Sequence, residues 1–189
     1  MDNMYETALA GLQSSIDAEN CLITNSGINI FLVRGGQYTF KHCTVSSFST
    51  LYVSHKNPVL YINNWDSTAN TLMTYDLNAS FTNNIFWGDY GTVDDEVILS
   101  SKGNNLFQVT FDHNLYKAIN TPAFSVDQGN IMNEDPRFDS VNIERRIFDF
   151  HIARNISPVI DKGIAAGVPL DLDGKTRKLP PDMGCYEND

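Results

Sequence analysis

The densest acidic run in this chain is Asp94-Asp-Glu96, which follows Gly88-Asp-Tyr-Gly91. Several carboxylate oxygens on one flexible loop suit a hard cation such as calcium. A pair of carboxyls about 5–9 Å apart is also what glycoside hydrolysis requires. The run is expected on an exposed loop, with Asp94, Asp95 and Glu96 as metal candidates. Asp171-Leu-Asp-Gly174 lacks the upstream acid and downstream Glu of a calcium loop and reads as an Asp-Gly turn. Lys41 and Asp112 each precede a His at an equivalent place and face outward by alternation, so they could form a small polar binding strip. Trp65, in Asn63-Asn-Trp-Asp-Ser67, and Trp87, turned outward after an inward Phe86, could stack on sugar faces. His42 and His113 share one position of a repeat, His55 stands alone in a polar loop, and His151 alternates with Phe148 and Phe150 and points outward. No nucleophile elbow, phosphate loop or dinucleotide fingerprint is present, and the catalytic residues, if any, are not identified.

A repeated phrase must position these side chains. It runs apolar, any, Asn or His, Cys or Asn, any, apolar, and occurs at Ala18–Ile23, Phe40–Val45, Phe81–Phe86 and Phe111–Tyr116. Its fourth positions are separated by 22, 41 and 30 residues. The long step conceals a further unit, for which Val59-Leu-Tyr-Ile62 is the candidate. Around the phrase the apolar residues alternate: Tyr75, Leu77, Ala79 and Phe81 on one face, Asp76, Asn78 and Ser80 on the other. A period of two means strand. Repeating short strands imply a solenoid in which each pairs in parallel with its equivalent, about 4.8 Å away. Ala18, Phe40, Phe81 and Phe111 would then stack inward, as would Ile23, Val45, Phe86 and Tyr116. Asn20, His42, Asn83 and His113 would sit at the turn and form a hydrogen-bonded ladder. The pattern stops after Tyr116. The expected organisation is repeat units over residues 1–120 and a final unit with a C-terminal cap or tail over 121–189.

Composition narrows the partners. The chain has 189 residues, 42% of them hydrophobic and 11% aromatic, enough for a sizeable core. Its 13 Lys and Arg against 23 Asp and Glu argue against nucleic acid, because counterion release needs clustered cations. Arg34, Lys41, Lys56, Lys102 and Lys117 are scattered, and none adjoins an acidic cluster as a polysaccharide lyase would need. No stretch approaches the roughly 20 apolar residues of a membrane span. Cys21, Cys43 and Cys185 show no metal spacing, and Cys21 and Cys43 read as small side chains in one repeat slot. The opening residues read as the end of a repeat unit, which implies a longer parent protein.

The tail phrases DPRF (135–138), DFHI (149–152), SPVIDKG (157–163), DLDGKTR (171–177) and DMGCYE (182–187) occur in that order. With NNIFWGD (83–89), they resemble bacterial right-handed parallel β-helix proteins of the pectin-lyase-like superfamily, in particular those with a choice-of-anchor Q tail. The resemblance covers about residues 15–189. It implies an all-β, right-handed, single-stranded parallel β-helix and a secreted or surface-attached protein. The expected function is a glycan-binding or structural module, with no cofactor beyond a calcium ion. The alternative is a polysaccharide lyase or glycoside hydrolase acting on acidic polysaccharide, with part of its site in preceding repeats.

Overall fold

A computed structural model describes residues 1–69, 71–123 and 125–188. The described residues contain no helix. Their strands are β1 (Thr7–Glu19), β2 (Leu22–Thr24), β3 (Ile28–Lys41), β4 (Thr44–Phe48), β5 (Leu60–Asn63), β6 (Trp65–Thr68), β7 (Thr71–Thr74), β8 (Leu77–Thr82), β9 (Ile85–Asp89), β10 (Val97–Ser100), β11 (Phe107–Asp112), β12 (Leu115–Tyr116), β13 (Ser125–Gln128), β14 (Ile131–Met132), β15 (Phe138–Asn142) and β16 (Ile147–Ile152).

The expected single continuous right-handed β-helix is not what these strands form. They divide among separate sheets: one of seven strands, one of five, and two antiparallel pairs, β6–β7 and β15–β16. The two large sheets are parallel throughout. The long strand β3 takes three partners: β1, β5 through its first half, and β8 through its second. A uniform solenoid would give each strand one neighbour before and one after. The extra residues between Phe48 and Leu77 break that uniformity by adding β5 and the β6–β7 hairpin. The concealed unit proposed at Val59–Ile62 is represented by β5.

The alternating pattern forms strands because one face is covered. Leu77, Ala79 and Phe81 are buried while Asn78 between them is exposed. Phe40 stacks on Phe81 with ring centroids 5.4 Å apart, and Phe81 on Phe111 at 4.9 Å. Phe86 meets both Phe81 and Phe111 edge-on. Offset stacks and edge contacts of this kind add about 1 kcal/mol each beyond burial. The main core also holds Ile23, Leu32, Val45, Ile62, Val109 and Tyr116.

The phrase marks where the chain bends from the seven-stranded sheet into the five-stranded one. Its third residues, Asn20, His42, Asn83 and His113, all adopt left-handed backbone, with φ of 52°, 52°, 58° and 54°. Asn tolerates that region better than most residues. Of the expected third-position ladder, His42 and Asn83 are joined directly, at 2.8 Å, but the continuous ladder falls one position later than the sequence suggested. Asn84 Oδ1 accepts from Cys43 N at 2.8 Å, Asn114 Oδ1 from Asn84 N at 2.9 Å, and Asn130 Oδ1 from Asn114 N at 2.7 Å. Their amide nitrogens donate to the carbonyls of Phe40, Phe81 and Phe111. The pattern also continues past Tyr116. Gly129 (φ 61°) and Asn130 repeat the bend, and Ile131–Met132 repeat the following strand. Asp127 replaces the leading apolar residue, which hid this copy.

The hairpin β15–β16 and the irregular tail close a second core. Phe48, Ile85, Trp87 and Leu115 meet Phe150, Ile152, Val159 and Met183 there.

Candidate functional site

The outer face of the seven-stranded sheet carries three rows of hydrogen-bonding side chains in register. Ser15, Gln37, Asn78 and Gln108 form the first. Asp17, Thr39, Ser80 and Thr110 form the second. Glu19, Lys41, Thr82, Asp112 and Gln128 form the third. All are exposed or half-buried. Neighbours within a row lie one strand spacing apart, about 4.8 Å. The period of two fixes this arrangement: the residues between them, Tyr38, Phe40, Ala79, Phe81, Val109 and Phe111, are the buried core.

A cleft of about 510 Å³ opens at the head of the first row. Gln37 and Asn78 form part of it, with Gln13, Tyr75, Asp76 and Asn105 around them. Gly36 (φ 119°) also lines it, and no side chain fits at that position: a Cβ there would stand 2.4 Å from Ser14 O and 2.6 Å from the hydroxyl of the buried Tyr38. The rim is fixed by hydrogen bonds. Asp76 Oδ1 accepts from Asn105 Nδ2 at 3.0 Å and from Leu106 N at 2.9 Å, and Thr74 Oγ donates to Asn105 Oδ1 at 2.6 Å. The Asn105 and Leu106 bonds hold the Asp76 carboxyl below the usual carboxylate range. This cleft offers a phenol ring, amides and a carboxylate, a set suited to sugar hydroxyls.

Most residues singled out from sequence lie elsewhere. Lys41 and Asp112 do share the third row, separated by Thr82, but each has a partner: Lys41 Nζ meets Glu19 Oε1 at 3.0 Å, and Asp112 Oδ1 meets His113 Nδ1 at 2.7 Å. Trp65 is half-buried on β6. Its Nε1 donates to Ser100 Oγ at 2.9 Å, and Lys102 Nζ stands 3.4 Å from its ring centroid. That face is occupied by a cation. Trp87 is buried in the second core rather than turned to solvent, because the strand after the bend is covered by the tail on its other side.

The acidic run disperses. Asp94 is exposed, Asp95 Oδ1 accepts from Ile119 N at 2.8 Å, and Glu96 is wholly buried. Among the described residues no three His, Cys, Asp or Glu side chains are grouped to hold a metal. Glu96 instead meets His55, 41 residues away, through Nε2 at 2.7 Å, and its other oxygen accepts from Val59 N at 3.2 Å. A Cβ on Gly88 would stand 2.0 Å from Glu96 Oε1 and 2.3 Å from His55 Nε2. This buried pair was not visible in sequence, where both residues read as loop surface.

His151 points outward as expected but is held from both sides. Its Nδ1 meets Asp149 Oδ1 at 2.6 Å and its Nε2 meets Asp173 Oδ2 at 2.9 Å, while its ring stacks on Tyr186 at 3.8 Å. Partial burial works against the charged ring, but the two carboxylates outweigh it and raise its pKa. With both nitrogens engaged, His151 pins the tail and has no free nitrogen to move a proton. The Cys21 thiol is drawn down to about 7 by its hydrogen bond with Cys43, against its own burial and with help from the chain's N-terminal charge. All three cysteines are free thiols. No protein family, curated protein or solved structure matches the chain in comparisons against each.

Proposed function

We propose that the chain is a glycan-binding module that holds an extended polysaccharide across the strands of its outer polar face, anchored in the Tyr75 cleft. The carrying observation is continuity: the cleft of about 510 Å³ includes Gln37 and Asn78, which begin the first of three registered polar rows. Amide and hydroxyl side chains both donate and accept, as sugar hydroxyls do. The repeat of about 4.8 Å across strands is close to the length of one sugar unit in an extended chain. Charges on the rows are few and of both signs, which favours a neutral or weakly charged polymer over a polyuronate. The tryptophans contribute nothing on this reading, since one is capped by Lys102 and the other buried. A module of this kind would act outside the cell or at its surface.

The test is retention on affinity gels containing neutral and acidic polysaccharides. The expected result is retention by at least one neutral polysaccharide, weakened tenfold or more by Gln37→Ala with Asn78→Ala and unchanged by Trp65→Phe. Failure to retain any polymer of a broad panel, or retention indifferent to the double variant, contradicts the proposal.

A further inference from the structure

Two cysteines of the repeated phrase stand side by side at one edge of the five-stranded sheet. Cys21 and Cys43 fill its fourth position in the first two copies, where Asn84, Asn114 and Asn130 fill it in the later ones. The pair Glu19–Lys41 precedes them in register and the pair Leu22–Thr44 follows. Cys21 therefore lies directly across from Cys43, with one strand spacing, about 4.8 Å, between their Cα atoms. Backbone bonds fix that alignment: Asn20 N donates to Lys41 O at 3.1 Å, and Thr44 N donates to Cys21 O at 2.9 Å. A disulfide needs Cα atoms about 4.4–6.8 Å apart, so this spacing admits one.

Cys43 takes the part of a ladder amide. Its Sγ accepts from Cys21 N, as Asn84 Oδ1 accepts from Cys43 N. It also lies 3.7 Å from Ala18 O, the carbonyl equivalent to Phe40 O, which Asn84 Nδ2 meets. Sulfur makes both bonds more weakly than an amide does. What it adds is a thiol in hydrogen-bond contact with a second thiol, that of Cys21. The two side chains share one orientation, with Cys21 Sγ 3.5 Å from Glu19 O and Cys43 Sγ 3.4 Å from Lys41 O. Joining the sulfurs asks for a χ1 rotation, which Cys21 is free to make because it borders open space.

Of the three cysteines only Cys21 reaches solvent. It is half-buried beside β2, the outermost strand of its sheet, and borders a cleft of about 380 Å³ with Asp2, Ile23 and Leu172. Cys43 and Cys185 are wholly buried. The bond from Cys43 that draws the Cys21 thiol down to about 7 raises Cys43 itself, with burial adding to the rise, and burial pushes Cys185 up to about 12. At neutral pH Cys21 thus has substantial thiolate character, and the thiolate is the form that attacks an electrophile. An accessible thiolate with a second thiol beside it is the arrangement in which peroxide oxidises one cysteine and its neighbour resolves the product.

We infer that Cys21 is a modification site for hydroperoxides and that Cys43 closes the oxidised product into a disulfide joining the first two bends. In the first step the Cys21 thiolate attacks a peroxide oxygen. A sulfur–oxygen bond forms and the oxygen–oxygen bond breaks, so sulfur is oxidised and the peroxide reduced. The hydroxide or alkoxide that leaves recovers the proton the thiol gave up. In the second step the Cys43 sulfur attacks the Cys21 sulfenic acid. The sulfur–sulfur bond forms, the sulfur–oxygen bond breaks, and the hydroxyl departs as water with the Cys43 proton. With hydrogen peroxide, two thiols and one oxidant give one disulfide and two waters. The site is separate from the polar face and stands or falls independently of the glycan reading.

Hydrogen peroxide is the probe, added in slight excess to the reduced whole chain at neutral pH. Remaining thiols are then alkylated under denaturing conditions and the peptides mapped by mass spectrometry. The expected product is an intramolecular Cys21–Cys43 disulfide, two hydrogens lighter than the reduced pair and reversed by dithiothreitol, with Cys185 recovered as the alkylated thiol. In Cys43→Ser the oxidised Cys21 should persist as a sulfenic acid captured by dimedone. Because that variant also alters the ladder, iodoacetamide labelling of the native wild type supplies a check without substitution: Cys21 should react about a hundredfold or more faster than Cys185. Comparable native rates at Cys21 and Cys185, a disulfide between any other pair of sulfurs, or Cys21 left reduced or carried to sulfinic acid while Cys43 stays a thiol would each overturn the assignment.

Discussion

Single side chains here carry effects that their types alone do not announce. His42 is the clearest case. Its pKa falls from 6.5 to about 3 because burial and the Arg177 charge both oppose protonation. A group depressed in this way leaves stability intact above its unfolded value and removes it as pH falls from 6.5 toward 3, to a total on the order of 5 kcal/mol. Asp182 and Glu187 act with the opposite sign: burial raises both, so their contribution grows as pH falls. Comparing the wild type with His42→Gln isolates the histidine. Urea midpoints at pH 7 and pH 4 should show a larger acid-induced loss in the wild type. An equal loss in both would mean that the ring is not held neutral. His42 was legible from sequence as a repeat position, but its burial under residues 164–184 was not, because the partner segment lies more than 100 residues away. The same distance problem concealed His55–Glu96, whose two members each read as solvated loop.

At the scale of the element, the repeated phrase is a device for bending one parallel sheet into another. Its outer positions were readable because apolar residues at a fixed spacing must share a face, and Phe40, Phe81 and Phe111 do. Its third residues sit at the turn as expected and His42 bonds Asn83 there, but the continuous ladder runs one residue later. The third position is chosen for left-handed backbone and the fourth for the amide ladder, and sequence spacing cannot separate the two when Asn occupies both, as at Asn83–Asn84. Asn114 joins two such bends through four bonds: it accepts from the backbone and the side chain of Asn84 and donates to Phe81 O and to Asn130. Asn114→Ala leaves the Asn84 donors and the Phe81 carbonyl unmatched in a fully buried place, at a cost of about 3 kcal/mol. For a chain of this size that is a fall of roughly 10 °C in Tm. Calorimetry showing a fall under about 2 °C would remove the ladder from the account of stability. The divided sheets are the other lesson. Regular spacing argued for one continuous coil, whereas the inserted strands β5–β7 give β3 a branched set of partners.

For the molecule as a whole, burial and display are two sides of one alternation. The residues that build the aromatic core force Gln37, Asn78 and Gln108 outward, in register, with the Tyr75 cleft at their head. The polar strip at Lys41 and Asp112 was readable from sequence; the wider face was not, because it needs the register of β1, β3, β8 and β11 across 98 residues, from Ser15 to Asp112. The tryptophans misled because their surroundings, Lys102 for one and the tail for the other, come from distant segments. The most direct measurement is NMR mapping of side-chain amides during titration with an oligosaccharide cut from a retained polysaccharide. The account predicts shifts at the Gln37, Asn78 and Gln108 amides and around Tyr75, with the indole signals of Trp65 and Trp87 unmoved. Shifts centred on either indole, or none on the outer face at saturating ligand, would contradict it.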